Sequence, residues 1–414
     1  MKVLLLNQCF WPDVVATAQQ LTMLARRLSE RGHQVTVVSS RRGYDNQHLS
    51  FAPREKWQGI EIVRVRSLGL GKASRWRRAL DFGSFLLACG TRLSLTPRHD
   101  VVIALTSPPL ISWMGSVFTR FKGGRLIFWT MDLNPDEAIA AGWLKENSLT
   151  ARFLSRLLKT SMDRATSIVA LDRFMKERIT AKGIDPAKIE VIGPARDADV
   201  RFDEEGRAAF RREHDLTDKF VVMYAGNHSP CHPLRTLLES AVACKNRDDI
   251  RFLFVGGGSG LSEVRRFAEE RGLTNIRCLS YQPYGKLSAL LSSADLHMVV
   301  MGDAFKGILH PSKIYNILGV GSPFIFIGPE ESHVTDLITA TTSRDRAHHA
   351  NHGEVGKVTQ IIDEFSRKPE SERRPATCEF EAFDADIIYA RFINVIERAG
   401  PQANALNSLG AECL

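Results

Sequence analysis

The chain has 414 residues, of which 44% are hydrophobic and 25% are charged. This composition is that of an ordinary globular protein and excludes a disordered, collagen-like or disulfide-dense chain. The length predicts two or three domains of about 150 residues each. No apolar run of about 18 residues occurs, so no membrane-spanning helix is expected. The apolar stretch 3–6 is too short for a secretory signal and is predicted to be a buried strand.

Charge is distributed unevenly along the chain. The formal net charge is +8, but residues 1–200 contain 30 Lys and Arg against 18 Asp and Glu, whereas residues 201–414 contain 25 against 29. A basic first half predicts an anionic partner, such as lipid headgroups, a phosphorylated acceptor or nucleic acid. The seven cysteines are scattered without a CxxC pair, which favours a reduced cytosolic protein over a disulfide framework or a zinc ribbon.

The first half alternates short apolar strands with amphipathic helices. Leu21, Leu24, Ala25 and Leu28 recur at helical spacing and predict a helix that ends near Gly32. Strands are predicted at residues 3–6, 35–38, 60–65, 101–105, 126–130 and 168–171. Strands that alternate with helices predict a parallel sheet covered on both faces.

The same pattern restarts in the second half. Strands are predicted at residues 220–224, 252–255, 276–279, 296–300 and 324–327, and helices at 234–245, 262–271, 286–292 and 313–318. We therefore predict an α/β protein with two Rossmann-like domains that face each other across a cleft, with ligands at the carboxyl ends of the strands. The predicted divisions are a first domain at 1–192, a polar linker at 193–216, a second domain at 217–375, a C-terminal helix at 376–400 that packs back on the first domain, and a frayed tail at 401–414.

Several segments resemble the GT-B glycosyltransferases of family 4 over nearly the whole chain. The opening MKVLLLNQCFWPD and LARRLSERGHQVTVVSS are similar to that family's first strand, loop and RGH-V-V unit. The segments VVIALTSPPL, TMDLNPDEA, VVMYAGNHSP, FLFVGGGSG, LLSSADLHMVV and HPSKIYNILGVGSPFI resemble a subgroup that makes bacterial surface polysaccharides of the O-antigen and colanic-acid type. The resemblance implies a GT-B fold, a nucleotide-sugar donor and retaining transfer.

Two glycine-containing loops follow predicted strands of the second half. Gly226 precedes Asn227, His228 and Ser229, and a glycine there allows the backbone to approach a phosphate closely. The run Gly256, Gly257, Gly258 follows the next strand, although a glycine run alone is weak support and both loops could be ordinary turns. The resemblance implies that both loops bind the donor and extends the donor-binding set to His232, Tyr281, Ser312, Lys313, Tyr315 and Asn316.

Lys313 lies at the predicted start of a helix that Ser312 could cap. A cation is unfavourable there because the helix dipole is positive at its N-terminus, and an anionic ligand would relieve this misfit. A solvated lysine is the alternative. The resemblance places this segment against the donor diphosphate, so Lys313 is predicted to be catalytic by stabilising the departing diphosphate.

The second half departs from the pattern of many family members at four positions. Two glutamates separated by seven residues are replaced by Ile308 and Asn316, and two cationic phosphate-binding positions are occupied by Asn227 and His232. The surface-polysaccharide subgroup commonly departs in this way, so activity remains the expectation.

Carboxylates cluster after the strand predicted at 126–130. A carboxylate at a strand end can orient an acceptor hydroxyl or take its proton, and we predict that Asp132 has this catalytic role. Asp136 and Glu137 suit the first turn of a helix that follows Pro135. The resemblance places the first loop beside the acceptor, and the predicted acceptor-side residues are Trp11, Asp13, Thr17, Ser107, Pro108 and Asn134.

No metal site is predicted. A zinc site at His228, Cys231 and His232 is disfavoured because neighbouring prolines break any helical face, and the histidine-containing stretch 348–352 is predicted to be a solvated loop. The resemblance implies transfer without a metal and without a permanently bound cofactor. Its expected donor is a nucleotide sugar, a UDP-sugar rather than a GDP-sugar.

The predicted function is retaining transfer of a hexosyl or N-acetylhexosaminyl-type sugar to a polyprenyl-diphosphate-linked or other glycan acceptor, in cell-surface polysaccharide biosynthesis. The enzyme is expected in the cytoplasm, peripheral on the inner face of the cytoplasmic membrane. One alternative is a nucleotide-sugar 2-epimerase on the same fold. Another is a catalytically silent nucleotide-sugar-binding scaffold protein, which the missing glutamate pair would favour. Nucleic-acid binding is not expected, because the basic residues are not interleaved with aromatic platforms.

Residues 72–98 are the predicted membrane contact. They contain six basic residues and one acidic residue before position 99. Basic residues beside exposed apolar ones are the composition of an interfacial helix. The alternative is that the apolar residues are the core face of a packed helix and the arginines are solvated. The apolar residues concerned are Trp76, Leu80, Phe82, Phe85, Leu86 and Leu87.

Overall fold

The computed structural model describes residues 1–13, 15–44, 49–70, 75–197, 199–340, 345–373 and 383–401. The chain divides into two compact units. The first comprises Met1–Gly193, Gly307–Leu309 and Asp386–Leu414, and the second comprises Pro194–Lys306 and His310–Ala385. Each unit contains a sheet with helices along the chain between its strands, so the predicted α/β class with two parallel-sheet domains is confirmed.

The first unit is built on one eight-stranded sheet. Its strands are β1 (Lys2–Leu6), β2 (Gln34–Ser40), β3 (Arg54–Trp57), β4 (Ile60–Val65), β5 (Val101–Ala104), β6 (Arg125–Trp129), β7 (Ser167–Ala170) and β8 (Ile189–Val191). They lie in the order β3-β4-β2-β1-β5-β6-β7-β8, and β3 alone among them is antiparallel to its neighbour. The order reverses between β1 and β5, which is the place where open α/β sheets bind ligands.

Helices connect these strands. They are α1 (Ala16–Glu30), α2 (Arg75–Ser94), α3 (Ile111–Lys122), α4 (Asp136–Ala140), α5 (Leu149–Arg164) and α6 (Arg173–Ala181), with a 3-10 turn at Pro186–Lys188. The predicted core face of α1 is confirmed, because Leu21, Leu24, Ala25 and Leu28 are buried. β3 was not predicted, since its sequence REKW is polar and its side chains are exposed or half-buried, which gives no apolar signal.

The second unit contains a six-stranded parallel sheet in the order β11-β10-β9-β12-β13-β14. Its strands are β9 (Phe220–Asn227), β10 (Ile250–Gly257), β11 (Ile276–Leu279), β12 (Leu296–Val300), β13 (Phe324–Ile327) and β14 (Ala347–Ala350). Its helices are α7 (Glu204–Glu213), α8 (Arg235–Ala243), α9 (Ser259–Glu270), α10 (Leu287–Ser292), α11 (Lys313–Gly319), α12 (His333–Ala340), α13 (Val355–Arg367) and α14 (Glu370–Arg373), with 3-10 turns at Tyr284–Lys286 and Asp303–Phe305. Buried aromatic and aliphatic side chains of β9, β10, β12 and β13 pack together in the core of this unit.

Two sequence predictions about this unit are wrong. The segment 193–216 was predicted to be a linker, but all of it after Gly193 belongs to the second unit and contains α7. Two of the charges that suggested a solvated linker are buried, because Arg207 and Arg211 pair with Asp295 (2.9 and 3.1 Å). The histidine stretch predicted to be a solvated loop forms the edge strand β14, in which the ring of His349 hydrogen-bonds the Gly328 carbonyl (2.9 Å).

Almost all of the last helix, α15 (Ala385–Arg398), belongs to the first unit. The Tyr389 hydroxyl donates to the side chain of Gln20 (2.8 Å), and the Phe392 ring meets Trp129 edge-on at 4.6 Å. These contacts bury the apolar face of α15 against the first unit. The predicted tail at 401–414 lies outside the described residues from position 402 onwards.

None of the helices in the described part of the chain combines the length and the apolar composition needed to cross a bilayer.

Among the charged residues of the second unit, we expect the loss of Asp295 to lower the stability of the fold most. Its buried carboxylate pairs with Arg207, Arg211 and Arg373 and accepts the backbone N–H of Val221 (2.8 Å). Asp295→Ala leaves buried guanidinium groups without a counter-charge, which should lower the free energy of unfolding by about 3–5 kcal/mol. Urea unfolding followed by circular dichroism measures this change.

The matched control is Asp249→Ala, which removes an exposed carboxylate paired with Arg247 (2.7 Å). An exposed pair contributes at most about 1 kcal/mol. Equal losses of stability in the two variants would contradict the structural role of Asp295.

Candidate active site

The two glycine loops predicted to bind the donor lie side by side in the second unit. Gly226 and Gly256 are register partners at the ends of β9 and β10, and both have positive φ angles (129° and 138°). A Cβ atom at Gly226 would lie 3.3 Å from Nζ of Lys313, so glycine gives the lysine room to approach this strand end closely. The structure thus brings the β9 loop, the β10 loop and the start of α11 to one edge of the sheet.

Lys313 is the residue at this edge with the most unusual surroundings. Its Nζ is buried and has no hydrogen-bond partner among the described residues. It lies 3.8 Å from the centroid of the Tyr224 ring, whose π-face partly offsets the missing counter-charge. Burial lowers the pKa of Lys313 to about 7. The site therefore holds an ammonium group that an anionic ligand would stabilise.

The two histidines of the β9 loop are neutral at pH 7. The rings of His228 and His232 hydrogen-bond the carbonyls of Gly226 (3.0 Å) and Val300 (2.8 Å) through Nδ1. Burial first, and the nearby Lys313 charge second, lower their pKa values to about 4 and about 3. Position 232 is cationic in many family members, but here His232 is neutral at pH 7. The positive charge at this edge comes from Lys313.

Other predicted donor residues surround these groups. The exposed Asn227 accepts a hydrogen bond from the Tyr224 hydroxyl through its carbonyl (2.9 Å). The Ser229 carbonyl accepts the backbone N–H of His232 (2.9 Å), which closes the turn of the loop. Gly258 opens α9 with a φ of 109°. Tyr281 is half-exposed, and a Cβ atom at Gly257 would lie 2.8 Å from its ring.

The start of α11 differs in detail from the prediction. Ser312 occupies the N-cap position, but its side chain makes no capping hydrogen bond because the residue has helical dihedral angles. Tyr315 is buried, and its hydroxyl hydrogen-bonds the ring of His310 (2.7 Å). Asn316 is half-buried on the same helix. The phenol of Tyr315 is thus engaged within the unit.

Residues 7–13, at the start of the first loop of the first unit, are held by side chains from neighbouring segments. Trp11 stacks on Trp57 at 4.6 Å, and its carbonyl accepts from the guanidinium of the buried Arg64 (2.8 Å). Asp13 accepts the backbone N–H of Tyr44 (3.0 Å), so its carboxylate ties the loop to the segment after β2.

The loops after β1 and β5 meet at the point where the strand order reverses. The Gln8 N–H donates to the Ser107 carbonyl (2.7 Å), and Pro108 is buried beside it. Thr17 is the second residue of α1 and is half-buried. Most of the predicted acceptor-side residues therefore belong to loops at one edge of this sheet.

Asp132 follows β6 and has no hydrogen-bond or ion-pair partner for its carboxyl group among the described residues. Burial, and secondarily the Glu137 charge, raise its pKa to about 8. Its acidic neighbours are engaged, since Asp136 pairs with Lys182 (2.7 Å) and Glu137 accepts from the Asn134 amide (2.9 Å). The carboxyl group that changes charge near neutral pH is thus that of Asp132.

Position 308, where many family members have a glutamate, lies in the first unit. Ile308 is buried, and its carbonyl accepts the backbone N–H of Leu133 (3.1 Å), the residue after Asp132.

Sequence reasoning missed three features of these edges. Tyr224 lies under Lys313 but reads as an ordinary apolar strand residue. Arg64 reads as a solvated charge within a strand, yet it is buried. Asn7 and Gln8 follow an apolar strand directly, and that abrupt change to amide side chains was the available signal.

Comparison with known proteins agrees with this arrangement. Residues 16–195 match the family described as a glycosyl transferase 4-like domain. WcaI of Escherichia coli K12, named for glycosyl transfer in colanic acid biosynthesis, is 24% identical over 335 residues, which cover 78% of this chain and 82% of WcaI. The first half of the chain is thus similar to the glycosyl transferase 4-like domain.

Solved structures agree in fold. Anabaena HepE in complex with UDP and glucose matches with a TM-score of 0.72 and 13% identity, over 96% of this chain and 99% of HepE. WaaG, a glycosyltransferase involved in lipopolysaccharide biosynthesis, matches with a TM-score of 0.65 and 14% identity, over 94% of each chain. The chain has the GT-B fold, as predicted.

We expect removal of the Lys313 charge to stabilise the protein without ligand. Because the folded-state pKa of Lys313 (about 7) lies below its unfolded value of 10.5, the unfolded chain binds more protons between these two pH values. The lysine therefore destabilises the fold most at pH 7 and below, and this penalty disappears as the pH rises towards 10.5. Lys313→Met should melt at a higher temperature than the wild type at pH 7.

Differential scanning fluorimetry of both proteins at pH 7 and pH 9.5 measures the difference. Lys306→Met is the control, because Lys306 pairs with Glu331 at the surface. A Lys313→Met advantage that is absent at pH 7, or that grows with pH, would show that Lys313 is not a buried, unpaired ammonium.

Proposed function

We propose that this protein is a glycosyltransferase of cell-surface polysaccharide biosynthesis. It transfers a hexosyl or N-acetylhexosaminyl-type group from a UDP-sugar to a lipid-linked or other glycan, with retention of configuration. The single observation that carries the donor assignment is the buried Lys313 ammonium without a partner, beside two glycine loops at a strand edge. The names of WcaI and WaaG, and the UDP and glucose bound to HepE, support the pathway and the donor class.

Lys313 would act on the donor diphosphate. A charge-assisted hydrogen bond between an ammonium and a phosphate oxygen contributes about 1.5–3 kcal/mol. Negative charge grows on the diphosphate as the glycosidic bond to it breaks, so the same contact strengthens in the transition state. We propose a metal-free front-face route, in which the departing phosphate helps to take the proton of the acceptor hydroxyl.

Asp132 would orient that hydroxyl. Its pKa of about 8 means that a neutral carboxyl group, which can donate a hydrogen bond, predominates at pH 7. The ionised form becomes dominant above pH 8 and can accept a hydrogen bond from the hydroxyl, which assists transfer of its proton to the departing phosphate. Both forms would contact the acceptor, and the ionised form would give the faster transfer.

One assay separates transfer from its two alternatives. The purified protein is incubated with UDP-glucose, UDP-galactose and UDP-N-acetylglucosamine, each alone and with a bacterial membrane lipid extract. We expect sugar in the lipid fraction and UDP release that requires the extract, both lost in Lys313→Met together with weaker UDP binding. An epimerised donor would identify a nucleotide-sugar 2-epimerase, and UDP binding without any product would identify a silent scaffold protein.

We expect Asp132→Asn to impair turnover more than donor binding. General acid–base assistance is worth roughly 10²- to 10⁴-fold, so kcat should fall by about that factor while the Kd for UDP changes little. The wild-type kcat should rise with pH through about 8 as Asp132 loses its proton, and Asp132→Asn should show no such rise.

Glu137→Gln provides the matched control for this profile. The Glu137 charge contributes to the raised pKa of Asp132, so the variant should shift the wild-type rise to lower pH. A pH profile that stays in place in Glu137→Gln, or an Asp132→Asn defect confined to donor affinity, would remove Asp132 from the chemistry.

We also propose that α2 docks the protein on anionic membranes. Trp76, Leu80 and Leu87 are exposed (60%, 51% and 77%) and share one face of the helix, because their spacings of four and seven residues each return nearly to the same direction. Phe85 and Cys89 point the opposite way into the core. Of the apolar residues predicted for this surface, Trp76, Leu80 and Leu87 are exposed, whereas Phe85 belongs to the core face of the helix.

Charge supports this docking surface. Arg77 and Arg78 are exposed beside the apolar stripe, with Arg77 over the Trp76 ring (5.3 Å). Each basic residue close to an anionic surface contributes about 1 kcal/mol, so several together bind reversibly. Lys72 of the predicted segment lies outside the described residues.

We expect the wild type to co-sediment with vesicles of phosphatidylglycerol and phosphatidylethanolamine and to be released as salt rises. Trp76→Ser/Leu80→Ser/Leu87→Ser and, separately, Arg77→Glu/Arg78→Glu should each abolish binding. The control is Leu149→Ser/Phe153→Ser on α5, which removes two equally exposed apolar side chains of the same unit. Undiminished binding of folded α2 variants would rule out this helix as the anchor.

A further inference from the structure

One tyrosine connects the lysine of α11 with the loop that follows β9. Tyr224 lies in β9, two residues before Gly226, and only 1% of its surface is exposed. The centroid of its ring lies 3.8 Å from Nζ of Lys313, and the ring meets the His228 imidazole edge-on at 4.9 Å. Its hydroxyl donates to the Asn227 carbonyl (2.9 Å). A single buried side chain therefore contacts both the ammonium group and the loop.

Lys313 reaches this ring because the end of β9 leaves room for it. Side chains at positions 224 and 226 lie on the same face of the strand, since the side chains of a strand alternate between its two faces. A Cβ atom at Gly226 would lie 3.3 Å from both Cε and Nζ of Lys313. The glycine therefore gives the lysine side chain space to extend over the strand end and to finish on Tyr224.

The Tyr224 ring is a favourable electrostatic contact for the Lys313 charge. Nζ of Lys313 is buried without a hydrogen-bond partner among the described residues. The titratable groups beside it are the imidazoles of His228 and His232, which are neutral above pH 5 because burial and the Lys313 charge lower their pKa values to about 4 and about 3. The face of an aromatic ring carries partial negative charge and attracts a cation, but not a neutral amine.

We propose that Tyr224 is a positioning residue for donor binding, an inference that rests on the proposed function. Its ring keeps Lys313 cationic at the strand end, and its hydroxyl fixes the loop at Asn227. Burial raises the pKa of the Tyr224 phenol, so the hydroxyl stays protonated and remains a donor. The two roles belong to different atoms, because Tyr224→Phe removes the hydroxyl alone and Tyr224→Leu removes the ring as well.

The alternative is that Tyr224 only fills space in the core. Its ring lies 6.4 Å from that of Phe254, and both belong to one core cluster. A residue that only fills space contributes the same stability whether or not position 313 carries a charge. A ring that stabilises the cation contributes more when Lys313 is charged. Phe254→Leu is the matched control, because it removes the neighbouring ring of the same cluster, whereas the ring on the ammonium is that of Tyr224.

The first measurement needs no donor. Lys313→Met is introduced into the wild type, Tyr224→Leu and Phe254→Leu, and melting temperatures are recorded at pH 5.5 and pH 9.5. Because the pKa of Lys313 is about 7, the folded protein carries its charge at pH 5.5 and has lost it at pH 9.5. At pH 5.5, we expect Lys313→Met to raise the melting temperature by roughly 2–6 °C more in Tyr224→Leu than in the wild type.

This excess should disappear at pH 9.5 and should be absent from Phe254→Leu at both pH values. Equal gains from Lys313→Met in all three backgrounds at pH 5.5 would overturn the role of the ring.

The second measurement is the Kd for UDP-glucose by isothermal titration calorimetry at pH 5.5 and pH 8. Without the ring, less of the free protein carries a charged Lys313 at pH 8, so Tyr224→Leu should raise the Kd there by about three- to thirtyfold. At pH 5.5 the lysine is charged in both proteins, and the Kd should change much less. Tyr224→Phe keeps the ring, so it should raise the Kd by one factor, up to about tenfold, at both pH values.

Each outcome tests a separate part of the proposal. A Kd that Tyr224→Leu raises equally at both pH values would contradict stabilisation of the cation by the ring. A wild-type Kd in Tyr224→Phe at both pH values would contradict the role of the hydroxyl. If the wild type does not bind UDP-glucose but the melting temperatures show the excess at pH 5.5, the proposed donor is wrong and the coupling of Tyr224 to Lys313 stands. Failure of the proposed function is therefore distinguishable from failure of this inference.

Discussion

An ammonium group kept from water without an anion beside it determines the chemistry of the second unit. Burial of Lys313 would be unfavourable in a protein whose only task was to fold, and the fold compensates with a tyrosine ring beneath it and with a glycine where any side chain would crowd it. The neighbouring histidines are kept neutral by burial and by the lysine itself. These features are consistent with one another if the missing charge is supplied by the diphosphate of a donor.

The pKa values of Lys313 and Asp132 lie in the unusual order. Lys313, which must be protonated to act, has a pKa of about 7, and Asp132, which must be ionised to act, has a pKa of about 8. Few protein molecules without donor therefore have both groups in the active form near neutral pH. Donor binding changes this, because a diphosphate raises the pKa of the lysine and holds its proton. At saturating donor the pH dependence should therefore depend on Asp132, whereas kcat/KM for the donor should also fall above pH 7 as Lys313 loses its charge.

Periodicity was enough to predict the alternating strands and helices, because the buried strands are apolar runs and α1 has a helical apolar stripe. It failed where charge was buried: Arg207 and Arg211 looked solvated, and only the position of Asp295 across the unit shows why they are not. At the site, the sequence placed Lys313 at a helix start but could not show that its Nζ is sealed against Tyr224. Whether a polar atom has a partner depends on three-dimensional packing, which no local pattern encodes.

Buried polar atoms at both sheet edges lack hydrogen-bond partners among the described residues, but the kind of atom differs between the two edges. The difference matches the two substrates of a glycosyl transfer. The second unit leaves a positive charge without a partner, which suits the dianionic diphosphate of a nucleotide sugar. The first unit leaves neutral oxygens without partners among the described residues, which suits the hydroxyl groups of a polyol. A neutral acceptor sugar at Lys313 would leave the ammonium without a counter-charge. In the proposed function, each edge would therefore select its own substrate by the cost of leaving its unpaired atoms unpaired, before any contact specific to one sugar is made.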